Sequence, residues 1–115
     1  MSFKVEFKNY LDDLHKSLCE VSDWMYENPE LGFQEFKTSK HLVDYIQKNS
    51  KSVNYPSHGL ETAFDVTFGE DGPLVVICVE YDALPEIGHA CGHNIIATAS
   101  IGAGLGLKDI ASKLG

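Results

Sequence analysis

The sequence has no excess of positive charge, no apolar run suited to a bilayer, no apolar start that could serve as an export signal, and little cysteine. Lys and Arg number 9 against 17 Asp and Glu, for a net charge of -8. A chain this acidic, with a pI near 4.9, is poorly suited to nucleic acid or an anionic membrane, because both need a basic surface. The longest apolar runs, Leu74 to Val79 and Ile95 to Leu107, are too short or too rich in glycine and small polar residues to span a membrane. Met1 to Glu6 hold no signal core, which points to a cytoplasmic protein. The cysteines are Cys19, Cys78 and Cys91. An odd number without regular spacing reads as reduced thiols, with Cys19 and Cys78 expected in or near the core. Gly102, Gly104 and Gly106 follow no strand and lie inside a predicted helix, which rules out a dinucleotide fingerprint. No serine occupies a nucleophile elbow, and no repeat or low-complexity tract is present.

What remains is ordinary globular material: 115 residues, 43% hydrophobic and 23% charged, enough for one compact domain and too few for two. Phe3, Phe7, Tyr10, Leu14, Leu18, Val21 and Met25 recur at three- and four-residue steps, predicting a long amphipathic helix that ends near Asn28-Pro29. A second helix is expected from about Gln34 to Asn49, with Phe36, Leu42, Val43 and Ile46 inward and a break at residues 48–52. Val53 to Tyr55 reads as a short strand. Thr62 to Phe68 alternates, with Phe64, Val66 and Phe68 facing one way. After a turn at Glu70-Asp71-Gly72-Pro73, Leu74 to Val79 has the continuous apolar character of a central strand covered on both faces, so these two segments predict a hairpin. Asn94 is placed to cap a third helix starting at Ile95, whose small residues suit close packing. This order predicts an α/β layer structure.

The chemistry-bearing residues sit between the last predicted strand and the last helix, in Glu80-Tyr81-Asp82-Ala83-Leu84-Pro85-Glu86-Ile87-Gly88-His89-Ala90-Cys91-Gly92-His93-Asn94. Cys91 and His93 flank a glycine, and in a turn both side chains can converge on one ion. Thiolate with imidazole suits zinc, and imidazole with carboxylates also admits cobalt, nickel or manganese. Two donors are fewer than the three a zinc site draws from protein, and a small buried Cys beside an unrelated loop His has the same spacing. Asp82, at a strand end, reads either as a carboxylate that orients a ligating imidazole or as a turn former. Glu80 is a candidate ligand or an exposed strand end. His89 reads as structural or as a support for the ligands. A redox role for Cys91 lacks a resolving cysteine nearby in sequence.

Tyr81-Asp82-Ala83-Leu84-Pro85 followed by Gly88-His89-Ala90-Cys91-Gly92-His93-Asn94 resembles the amidohydrolase branch of the aminoacylase/carboxypeptidase G metallopeptidase family. Asn28 to Glu35 and Gly59 to Ala63 are similar to two further signatures of that branch. Glu80-Tyr81-Asp82 and Glu86-Ile87-Gly88 look most like its p-aminobenzoyl-glutamate hydrolases and the dipeptidases that release basic amino acids. The resemblance implies a partial α/β/α sandwich of the zinc-exopeptidase type, with residues 1–115 as the N-terminal portion of a catalytic domain and the lid and dimerisation domain absent. It implies two divalent ions (Zn, Mn, Co or Ni), with Cys91 and His93 as ligands and Cys91 able to bridge. Asp82 would orient a ligand, and His89, Glu80 and Asn94 would lie behind the ligands or in the loop. Glu80 occupies a position where relatives carry a metal-binding histidine. The implied reaction is hydrolysis of a small amide or dipeptide by metal-activated water, in an enzyme that forms a homo-oligomer. After His93 the sequence has no histidine and no glutamate, so the catalytic base is not among these residues. The expectation is a fragment that is inactive alone. The alternative is a short non-catalytic protein acting as a metal-binding or interaction module.

Overall fold

The computed structural model describes residues 2–50 and 53–114. Its regular structure is three helices: α1 (Phe3–Glu27), α2 (Phe36–Asn49) and α3 (His93–Leu114). Ser2 caps α1 by accepting the Val5 amide at 3.3 Å, satisfying one of the donors a helix start leaves free. The helix ends where Asn28 folds its side chain back onto the Trp24 carbonyl at 2.8 Å, with Pro29 next. The start of α2 is capped from a distance. The Glu30 carboxylate accepts the amides of Lys37 at 3.2 Å and Thr38 at 2.5 Å, so a negative group sits at the positive end of the helix. The expected break after α2 is seen at Ser50, while Lys51 and Ser52 lie outside the described residues.

Val21 and Met25 of α1, Leu42 and Ile46 of α2, and Ala97, Ile101 and Leu105 of α3 form one buried cluster. The small residues of α3 let α1 approach closely, with Gly102 against Leu18 and Gly106 against Phe7. By length and composition α3 could also cross a membrane. Here its apolar face is occupied by α1 and α2, and Lys108 and Asp109 interrupt it with charge.

The expected α/β sandwich is not formed. Among the described residues there are isolated bridges (Leu31 with Ala83, Asn54 with Asp65, Ser57 with Leu60, Leu84 with Gly88) and no strand or sheet. Phe64, Val66 and Phe68 do pack on the core, so the alternation in that segment predicts its inward face without predicting a ladder. Leu74 to Val79 overturns the hairpin. Instead of being covered on both faces, Leu74, Val75 and Val76 are 80%, 81% and 72% exposed. A strand exists only where a neighbour takes its N–H and C=O groups, and nothing in the described chain lies beside this segment. Three smaller expectations also fail. Phe36 is exposed, Cys19 and Cys78 are exposed free thiols, and α3 begins at His93, with Asn94 buried inside it.

Candidate functional site

The loop from Glu80 to His93 is held at both ends by backbone bonds. The Ala83 amide donates to the Glu30 carbonyl at 2.7 Å, tying the loop to the α1–α2 connector. Leu84 and Gly88 exchange bonds of 2.9 and 3.1 Å across a tight turn. The chain then turns again. The Gly92 amide donates to His89 O at 3.1 Å, and the Gly92 carbonyl takes the first helical amides, Ile95 and Ile96, each at 3.0 Å. Gly92 has φ +76, a conformation that costs glycine nothing and other residues about 1 kcal/mol or more. Gly92 therefore opens α3 in the place that the sequence suggested for Asn94. The Asn94 amide instead reaches across to Ser22 of α1, donating to its Oγ at 3.1 Å.

The turn delivers His93 onto Asp82. His93 Nδ1 lies 2.7 Å from Asp82 Oδ1 and 3.0 Å from the Asp82 carbonyl. Both neighbours are acceptors, so a neutral ring carries its proton on Nδ1, leaving the Nε2 lone pair open. Glu80 Oε2 is 3.7 Å from that Nε2, close enough for attraction and too far for a hydrogen bond. Cys91 is an exposed free thiol. His89 is only 6% exposed, and neither ring nitrogen has a partner. Burial, reinforced by the nearby His93, pulls its pKa below the ordinary histidine value, with Asp82 opposing.

An open cleft of about 310 Å³ lies beside Asp82, lined in part by Gly32, Phe33, Glu35, Thr62 and Glu80. Glu35 is a buried carboxylate there, accepting the Phe33 amide at 2.7 Å and the Thr62 hydroxyl at 2.8 Å. Tyr81 donates its hydroxyl to the Thr62 carbonyl, and burial, with help from the Glu35 charge, raises its pKa to about 12. Sequence reasoning missed Glu35. The only available signal was its place at the end of the Asn28–Glu35 signature.

The structure thus brings Asp82, His93 and Glu80 together, buries His89 near them, and points Asn94 toward α1. Among the described residues no group of three or more His, Cys, Asp or Glu is placed to hold a metal ion. The donor types fit a divalent ion, an imidazole with one nitrogen anchored and a thiol across a glycine, but their number does not complete a site.

No protein-family model matches the chain. It is 33% identical over 108 residues to the Xaa-Arg dipeptidase of Mus musculus, covering 85% of this chain and 25% of that protein. It is 27% identical over 124 residues to a p-aminobenzoyl-glutamate hydrolase of Escherichia coli (strain K12), covering 90% and 26%. It is 32% identical over 113 residues to the IAA-amino acid hydrolase ILR1-like 4 of Arabidopsis thaliana, covering 80% and 26%. The chain therefore spans about a quarter of the length of these relatives.

Proposed function

We propose, for a chain that belongs to the amidohydrolase/peptidase M20 family, that the loop from Glu80 to His93 is one side of a centre that hydrolyses amide bonds in small N-acyl amino acids or dipeptides. The observation that carries this reading is the grip of Asp82 on His93 Nδ1, which aims Nε2 away from the protein as a donor with its orientation already decided. The relatives' names describe a dipeptidase and hydrolases of amide conjugates, and the cleft beside Asp82 is open to a small molecule of that kind.

In this reading Cys91 and His93 donate to a divalent metal (zinc, manganese, cobalt or nickel), with the remaining donors supplied from outside these residues. When bound, such an ion acidifies water and polarises an amide carbonyl. The chain's own residues do the positioning. Asp82 holds the His93 tautomer, Gly92 sets the turn between the two donors, and Glu80 adds negative charge beside Nε2. A second reading, a non-catalytic metal-binding or interaction module, is favoured by the exposed apolar segment at Leu74 to Val76, which suits contact with another chain.

A chimera tests the first reading. Residues 28–114 replace the matching stretch of the Escherichia coli p-aminobenzoyl-glutamate hydrolase, and amide hydrolysis is assayed with and without a chelator. The expected result is chelator-sensitive hydrolysis that His93→Ala and Cys91→Ser each reduce by about 10²-fold or more. A chimera that stays fully active with His93→Ala overturns it.

A further inference from the structure

Away from the loop, on the opposite stretch of α1, a thiol and an imidazole stand together at the edge of an apolar groove. Cys19 Sγ lies 3.7 Å from His15 Nε2, one helical turn away on the same face. The groove runs between α1 and α3, has a volume of about 440 Å³, and is lined by Leu11, Leu18, Ile95, Ala99 and Ala103 as well as by the pair itself. It exists because α3 presents small residues where larger ones would fill the space. Cys78 and Cys91 are also exposed thiols, but among the described contacts neither is hydrogen-bonded to an imidazole, and neither lines the groove.

We propose that Cys19 is a modification site for apolar α,β-unsaturated carbonyl compounds, with His15 as the base and the α1–α3 groove as the seat for the hydrocarbon tail. His15 Nε2 takes the thiol proton, and the thiolate adds to the β-carbon of the acceptor. One C–S bond forms and the C=C π bond breaks. Its electron pair moves to the carbonyl oxygen as an enolate, and the α-carbon then takes back the proton held by His15. Nothing is released and no oxidant is needed. The thiol chemistry chooses a soft carbon electrophile, and the groove chooses one with an alkyl chain, since each buried methylene favours binding by roughly fourfold.

The test uses the full 115-residue chain and substoichiometric trans-2-nonenal, with the adducts fixed by borohydride and located by peptide mass spectrometry. Cys19 is expected to carry about tenfold more adduct than Cys78 or Cys91, and His15→Gln to lower its share by a similar factor at unchanged helical circular dichroism. Ala99→Phe, at an exposed position in the groove wall, is expected to slow the nonenal reaction severalfold while leaving iodoacetamide labelling of Cys19 unchanged. Equal labelling of the three thiols overturns the proposal. So does an unaffected Cys19 in His15→Gln, or an Ala99→Phe variant that slows both reagents alike or neither.

Discussion

His93 donates from Nδ1 to Oδ1 of Asp82 at 2.7 Å, across a loop of eleven residues. The bond fixes which ring nitrogen carries the proton. In the neutral state the Nδ1–H tautomer is expected to dominate, read from the two ring nitrogen shifts in a long-range ¹⁵N correlation spectrum. Asp82→Ala removes the acceptor, and the ring should move toward the Nε2–H tautomer that free histidine prefers. The stability cost should be modest, about 1 kcal/mol, because the carboxylate is partly exposed. A spectrum unchanged by Asp82→Ala would mean that the bond does not hold the ring.

Tyr81 makes the protein sensitive to alkali. Burial, then the Glu35 charge, raises its folded pKa from 10.0 to about 12. The unfolded tyrosine loses its proton first, so this contribution to stability is complete below pH 10 and is lost as pH rises toward 12. Chemical denaturation across that window should show the decline, and Tyr81→Phe should flatten most of it. Tyr45, raised chiefly by its own burial, leaves a smaller residual slope.

The single tryptophan reports on the acid side. Trp24 stacks on His41 with ring centroids 4.0 Å apart and planes within 4°. Burial pulls the His41 pKa below 6.5, with Asp44 opposing. A depressed folded pKa gives stability that is present above 6.5 and lost as pH falls through the folded value. Trp24 fluorescence should change in that acid range together with the thermal midpoint. His41→Phe keeps a ring in place and should remove the step in both.

The pattern of what could be read in advance follows sequence separation. The faces of α1 and α2 repeat within a few residues, so Val21, Met25, Leu42 and Ile46 were legible as core. Even the inward side of Phe64, Val66 and Phe68 was visible. A ladder depends on a second segment, and nothing local to Leu74–Val79 tells whether one lies beside it. The same limit explains Asn94, a good helix cap by type whose side chain is instead occupied by Ser22, 72 residues away. It also explains Cys19 and Cys78, whose apolar neighbours suggested burial that the packing does not supply. At the site, the chemistry of Asp82, Cys91 and His93 was readable from type and spacing. The buried Glu35 was not, because its partners Phe33 and Thr62 come together only in the fold.

Two glycines of α3 should respond oppositely to the same substitution. A Cβ on Gly106 would lie 2.6 Å from Phe7 Cε2, whereas one on Gly104 would meet nothing within 4 Å. Gly104→Ala should therefore stabilise by up to about 1 kcal/mol through helix propensity. Gly106→Ala should destabilise by roughly 1–3 kcal/mol as the Phe7 ring is displaced. Urea denaturation of the two variants checks the ordering, and a stabilised Gly106→Ala would show that α1 yields at no cost.

The exposed segment from Leu74 to Val76 is an apolar ribbon with open backbone groups. Its amides should exchange with deuterium far faster than those of α1 and α3. Ribbons of this kind pair with one another, so light scattering should rise with concentration. Val76→Lys should suppress that rise without changing the thermal midpoint.

Gly92 joins Cys91 to His93 with φ +76 and open space where a side chain would go. The obstacle to any other residue there is the hand of the backbone and not its bulk. Whether the thiol and the imidazole can turn toward one ion thus comes down to chirality at a single α-carbon. A D-alanine introduced at position 92 by chemical ligation would hold the turn that an L-alanine resists, and the two mirror-related substitutions would separate the geometry of the pair from its chemistry.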